Sequence, residues 1–248
     1  MINYHKIFSL SLGLLFLVTL QVFSNPIPVF RFLLPAFLGV LAITFFYNRW
    51  YLQALNKYNI WVILRPALLQ TSGFLMYLFL TDSFFKGVFL ISAVLLISVF
   101  EIMLANFSEN LIINESIIIA FAFCFSFFGF QWWFPNFTYL YFFGIFASLL
   151  LLARCFYDFL PQSNNAKWLN SLVVAFLSAQ IFWAANYLPF HYSATAILLL
   201  DFFYLILLLN YHYIFHTLTI KKIKFYLLLS VFSLVAVFMA TPWTIIEG

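Results

Sequence analysis

The chain reads as an all-α integral membrane protein of about nine transmembrane helices in one bundle. Three observations predict this. Of its 248 residues, 66% are apolar and only 7% are charged, whereas an average soluble domain carries about a quarter charged residues. The mean hydropathy is +1.07. The apolar residues also fall in runs of roughly 16 to 22, the length that crosses a bilayer as a helix. Helices are favoured over barrel strands because the runs lack sustained alternation, and because a helix satisfies its backbone polar groups within the segment. No polar stretch is long enough for a separate soluble domain, so residues 1–248 read as a single polytopic membrane domain.

In chain order, the hydropathy pattern predicts spans over residues 7–23, 30–47, 61–80, 84–105, 117–134, 138–153, 168–187, 193–213 and 225–240. The first is about 17 residues long, longer than a usual signal-peptide core, and is expected to remain as an uncleaved helix. Turn and breaker residues punctuate the runs. Asn25-Pro26-Ile27-Pro28 makes the first turn, Pro135-Asn136 separates the fifth and sixth spans, Pro161 to Asn165 forms a loop, and Leu188-Pro189 closes the seventh span. Residues 48–60 are aromatic and mildly amphipathic, with Trp50, Tyr51, Leu55 and Tyr58 near one face, and read as an interfacial segment. Residues 154–167 read as a cytoplasmic loop. Trp61, Trp132, Trp133, Trp168 and Trp243 fall at span boundaries, as an aromatic belt requires.

Lys and Arg are distributed nine against two over alternate sides. One side has Lys6, Arg49, Lys57, Arg65, Arg154, Lys167, Lys221, Lys222 and Lys224, and the other has Arg31 and Lys86. By the positive-inside rule the N-terminus is cytoplasmic and the C-terminus lies outside, in a bacterial inner membrane. The basic residues form no patch with interleaved aromatics, so the expected partners are the lipid bilayer and other membrane proteins, with no nucleic acid. The Asn106, Asn114 and Asn136 sequons read as chance. Cys124 and Cys155 lack metal-ligand spacing and read as buried thiols.

Ionisable residues inside spans are the first functional candidates, because they are costly to keep there. Asp201, Tyr204, Leu208 and His212 share a helix face, with His216 close to it. This stripe reads either as a proton, ion or substrate path or as polar glue between helices. His212 and His216 are spaced i, i+4. Glu101, Glu109 and Asp158 lie near the same membrane side, but the spacing supports interfacial histidines over a metal site, and no metal or cofactor is expected. Arg65 and Glu101 fall at similar depth on adjacent antiparallel spans and are expected to pair, with Pro66 kinking or starting the helix. Arg154 and Asp158, at i, i+4, read as a surface pair. Gln180, Trp183 and Tyr187 share an outer-half face that reads as a packing seam or as a pocket wall.

No phosphate loop, nucleophile elbow or His-Glu-x-x-His motif is present. The C-terminal third carries Gln180-Ile-Phe-Trp183, Leu188-Pro189-Phe190, and His212 to His216-Thr217-Leu218-Thr219 before a last apolar span. This arrangement resembles uncharacterised polytopic membrane proteins of candidate-phyla bacteria, and the resemblance implies a fold without an activity. Without a convergent charged cluster in the sequence, the leading expectation is a non-enzymatic accessory or scaffold protein. The alternatives are a small-solute or proton-coupled transporter using Asp201, Tyr204 and His212, or a lipid-modifying enzyme using Glu101, His212 and His216 at the cytoplasmic face.

Overall fold

The computed structural model describes residues 2–24, 32–80, 82–104, 109–188 and 190–240. Among them the secondary structure is α-helical throughout. The helices are α1 (Ile2–Ser24), α2 (Leu33–Ala54), α3 (Ile60–Phe79), α4 (Ser83–Ile102), α5 (Glu109–Trp133), α6 (Thr138–Tyr157), α7 (Asn164–Ala185), α8 (Tyr192–Ile214) and α9 (Ile220–Ala240), with a single 3-10 turn, Pro135–Phe137, before α6. Nine described helices are long and apolar enough to cross a membrane, so the chain is an all-α, multi-pass membrane protein in contact with lipid. The turn at residues 25–28, Arg31, the Asn106 sequon, Pro189 and Trp243 lie outside the described residues.

Residues 48–54 are not a separate interfacial segment. They form the last turns of α2, which ends at Ala54, and Asn48, Tyr51 and Leu52 are buried there. The helix stops in a Schellman motif. Asn56 takes the left-handed conformation (φ 55°), Lys57 N–H donates to Leu52 O at 2.9 Å, and Asn56 N–H donates to Gln53 O at 3.0 Å. The Asn59 side chain then accepts from Trp61 N–H at 2.9 Å and starts α3. Pro66 neither starts α3 nor ends it, since the helix runs from Ile60 through Pro66 to Phe79. The 154–167 segment is also mostly helical, with α6 running to Tyr157 and α7 starting at Asn164 behind a Ser163 cap.

The described chain divides into two compact units, Met1–Glu115 and Ser116–Gly248. In the first, α1 packs against α2 and α4, and α3 packs against α2 and α4. Phe37 stacks on Phe74 with centroids 4.1 Å apart, and Phe16 meets Phe37 edge-on at 6.3 Å. The outward faces are hydrocarbon: Leu34, Leu38 and Phe46 on α2, and Ile91 and Leu95 on α4, are exposed to the surroundings. An exposed apolar surface of this extent is stable only against lipid. Hydroxyl groups in this hydrocarbon donate back to their own helices, as with Ser9 to His5 O (2.8 Å) and Thr44 to Val40 O (2.9 Å).

In the second unit, α6 packs on α7, α7 on α8, and α8 on α9. Ile145, Leu149, Val174, Ala175 and Phe182 are fully buried in it, and Phe182 lies against Phe128 with centroids 4.5 Å apart. Helix α9 is the least enclosed, with 6% of its candidate span buried inside the fold.

Glycine is scarce, and Gly13 sets a close helix approach. A Cβ at Gly13 of α1 would meet Ser98 Oγ at 2.6 Å and Val94 O at 3.0 Å on α4, whereas a Cβ at Gly39 would meet nothing within 4 Å. Thermal unfolding in detergent should therefore show Gly13→Ala losing about 1–3 kcal/mol through overpacking. Gly39→Ala should instead gain up to about 1 kcal/mol from helix propensity. Equal effects at the two positions would contradict the α1–α4 contact.

Candidate functional site

In the first unit, consecutive helices run in alternating directions. The start of α1, the end of α2, the start of α3, the end of α4 and the start of α5 all contribute to one polar cluster. It consists of His5, Tyr47, Asn48, Arg65, Glu101 and Glu115. Of these, His5, Asn48, Arg65, Glu101 and Glu115 are buried. Tyr51, Leu52, Val62, Ile63 and Leu104 form an apolar core cluster at the same helix ends.

Arg65 does not take Glu101 as its ion-pair partner. Its guanidinium pairs with Glu115, both side chains being fully buried, and also donates to Ile112 O at 3.3 Å. The expected pairing assumed that the fifth span begins at residue 117. Helix α5 instead begins at Glu109, which brings Glu115 inside the bundle where the guanidinium reaches it. Removing one member of a buried pair of this kind typically costs about 3–5 kcal/mol, because the other charge is left uncompensated.

Glu101 takes a different set of partners. Asn48 Nδ2 donates to Glu101 Oε1 at 3.1 Å. The Glu101 backbone carbonyl, near the end of α4, accepts from His5 Nε2 at 2.8 Å. A carbonyl can only accept, so His5 carries its proton on Nε2 and leaves Nδ1 facing Tyr47 Oη at 3.3 Å. The imidazole stacks on Tyr51 with centroids 3.7 Å apart and on Tyr47 at 5.8 Å, which fixes its plane. Glu115 is the second carboxyl group within electrostatic reach of Glu101. Among the described residues, no hydrogen-bond donor reaches the buried acceptors Asn48 Oδ1, Glu101 Oε2 and Glu115 Oε1. A carboxylate oxygen without a donor in a dry interior is costly, and here two buried carboxyl groups share one buried guanidinium.

The stripe predicted on α8 is part of the second unit, and it faces α9. Asp201 lies beside Ser233, and Tyr204 is close to Tyr226. His212 Nε2 meets Tyr226 Oη at 2.9 Å, while Nδ1 meets Thr217 Oγ1 at 2.9 Å and Lys222 Nζ at 3.4 Å. An ammonium can only donate, so Nδ1 accepts and Nε2 donates to the tyrosine. These contacts tie α8 to α9, and Asp201 Oδ2 is buried with no hydrogen-bond partner among the described residues. His216 is not part of it, because α8 ends at Ile214. His216 is the left-handed residue (φ 53°) of a second Schellman motif, with Thr217 N–H on His212 O at 3.0 Å and His216 N–H on Tyr213 O at 3.1 Å. Among the described residues, no three His, Cys, Asp or Glu side chains are grouped to hold a metal.

Gln180 and Trp183 line a groove of about 360 Å³ with Tyr139, Phe142, Phe143 and Phe176, and Tyr187 is exposed. Trp183 also packs against Tyr139, Phe142 and Tyr187, so the face is both groove wall and aromatic seam. Arg154 and Asp158 are not a surface pair either. Arg154 is buried, and its guanidinium donates to Asp158 Oδ1 at 3.2 Å and to Asn164 Oδ1 at 2.7 Å. Lys167 Nζ donates to Asp158 O at 2.7 Å, so this network clamps the α6–α7 turn.

Glu115, Asn48 and His5 escaped the sequence reading. Glu115 fell between predicted spans, Asn48 was assigned to the interface, and His5 preceded the first predicted span. A search for every acid, amide or imidazole within one helical turn of an apolar run would have found all three. No protein-family model, no curated protein and no solved structure matches the chain.

Replacing Asn48 with Leu should lower stability by about 1–3 kcal/mol, because Glu101 Oε1 loses its donor in a buried site. Adding Glu101→Met to Asn48→Leu should recover most of that loss, since both partners are then apolar. Thermal unfolding of the two variants in detergent checks this, and a double variant no more stable than the single one would contradict the assigned contact.

Proposed function

We propose that the protein is a cation-coupled transporter of a small solute, with the Glu101–Glu115 carboxyl pair as the cation site. The observation that carries this reading is the charge balance of the first unit's cluster. Two buried carboxyl groups meet one buried guanidinium, and among the described residues three acceptor oxygens of the cluster meet no donor. Uptake of one positive charge, as a proton or a sodium ion, balances the cluster and relieves the repulsion between the carboxylates. Intramembrane acids facing a bundle interior are the usual coupling groups of transporters.

The accessory or scaffold role expected from the sequence rested on the lack of a convergent charged cluster. The grouping of Arg65, Glu101 and Glu115 removes that premise. The transporter reading therefore moves from Asp201, Tyr204 and His212, which meet α9, to Glu101 and Glu115, which share one guanidinium. The lipid-modifying enzyme reading loses support for the same reason, since Glu101 and His212 each have partners within their own unit. The Lys and Arg distribution supports an inner-membrane protein with a cytoplasmic N-terminus. With that orientation, the cluster lies on the cytoplasmic side of the first unit.

Reconstitution into vesicles tests the proposal. An imposed membrane potential, with an internal pH dye in one arm and a sodium dye in the other, should give a cation flux that Glu101→Gln reduces at least tenfold. Asp201→Asn should leave the flux intact. No cation flux in either arm, or a flux unaffected by both Glu101→Gln and Glu115→Gln, would refute the assignment.

A further inference from the structure

The second unit holds a smaller pocket that the cation site does not use. It encloses about 260 Å³ where the end of α7, the end of α5 and the start of α8 meet, and its lining includes Phe128, Gln131, Trp132, Asn186, Tyr192 and Thr195. No charged residue lines it. Among the described residues, two buried amide atoms of its lining have no hydrogen-bond partner, the Gln131 Oε1 acceptor and the Asn186 Nδ2 donor. The orientation of the Gln131 amide is fixed by chemistry. Thr138 Oγ1 donates its hydrogen to Pro135 O at 2.8 Å, so it can only accept from Gln131, whose Nε2 lies at 2.7 Å. The carbonyl oxygen is therefore the end of the amide left over. Trp132 and Tyr192, with centroids 6.4 Å apart, supply aromatic surface at the rim. His191 packs on both rings.

We infer that this pocket binds a neutral polyol, a sugar or glycerol-type group. A hydroxyl is both donor and acceptor, so adjacent hydroxyls answer the Gln131 acceptor and the Asn186 donor together. A charged ligand would meet no counter-charge and would have to shed its hydration without compensation. The aromatic surface suits the apolar face of a sugar ring, and a small concave site with a few placed polar groups is the usual form of a small-ligand pocket. The helix ends that form it, residues 130–139 and 185–192, carry no Lys or Arg, whereas Arg154, Lys167, Lys221, Lys222 and Lys224 belong to the opposite helix ends of the unit. By the positive-inside rule the pocket opens at the outer interface. A polyol there is either free in solution or the head group of a glycolipid.

Two titrations of the full-length protein separate these sources. Methyl β-glucoside is added to protein in phosphatidylethanolamine nanodiscs, and monoglucosyl-diacylglycerol is mixed into the same nanodiscs at rising mole fraction. Tryptophan fluorescence reports binding, with Trp132→Phe identifying the responding ring. Saturable binding in either arm, weakened about tenfold by Asn186→Asp and by Gln131→Leu, is the expected result. Binding in the lipid arm alone assigns the head group, and binding of the soluble glucoside assigns the free sugar. Asn186→Asp keeps the side-chain size, and its unchanged unfolding midpoint without ligand shows that any loss is local. Saturation in neither arm, or binding that ignores both substitutions, would overturn the inference and leave ordered water as the partner of the two amides. Neither variant touches the carboxyl pair, so this outcome is independent of the cation assay.

Discussion

Lipid offers the backbone and side chains no hydrogen bonds and almost no screening of charge. Every polar group carried into it must find a partner within the protein, and every exposed surface must be hydrocarbon. The helices of this chain follow from that constraint, as do the apolar residues on their outer faces. The same constraint makes the buried ion pair of Arg65 and Glu115 the strongest commitment in the first unit. Both side chains are fully buried, and neither could be left there without the other. Placing them requires α3 and the start of α5 to pack together, and the Asn48–Glu101 contact draws in the ends of α2 and α4. His5, donating to the Glu101 carbonyl, adds α1. One cluster thus fixes the register of all the helices in that unit.

The second unit meets the same requirement with weaker means. Its polar contacts are spread along helix seams: Arg154 and Lys167 at the α6–α7 turn, and Asp201, Tyr204 and His212 between α8 and α9. Arg154, Asp158 and Lys167 form one network at that turn, while Asp201 keeps a buried oxygen, Oδ2, with no hydrogen-bond partner among the described residues. The first unit gathers two carboxyl groups around one guanidinium. The second offers a neutral pocket and an aromatic groove.

The fold class was legible because it rests on bulk properties. Apolar runs of bilayer length admit few solutions, and all nine predicted spans overlap described helices. The span ends were less legible, because polar residues such as Asn48 and Glu115 lower local hydropathy even when a helix continues through them. Helix α2 runs on to Ala54 and α5 begins at Glu109 for that reason. The candidate site depended on those ends. With Glu115 placed outside a span, Arg65 was left to pair with Glu101, and the cluster disappeared from view. The α8 stripe was visible from its spacing, but spacing alone does not say whether a face meets a cavity or a neighbouring helix. His216 was lost from it because helix termination by a left-handed residue is a backbone event with little sequence signal when that residue is not glycine.

The most direct test of the central claim is the interaction free energy between Arg65 and Glu115. It is measured from the unfolding of Arg65→Met, Glu115→Leu and the double variant in one membrane mimetic. The account predicts that each single change is severely destabilising, that the double variant is more stable than either, and that the interaction energy is about 2–3 kcal/mol or more. Additive effects, with the double variant as unstable as the sum of the two, would contradict a buried ion pair at the centre of this unit.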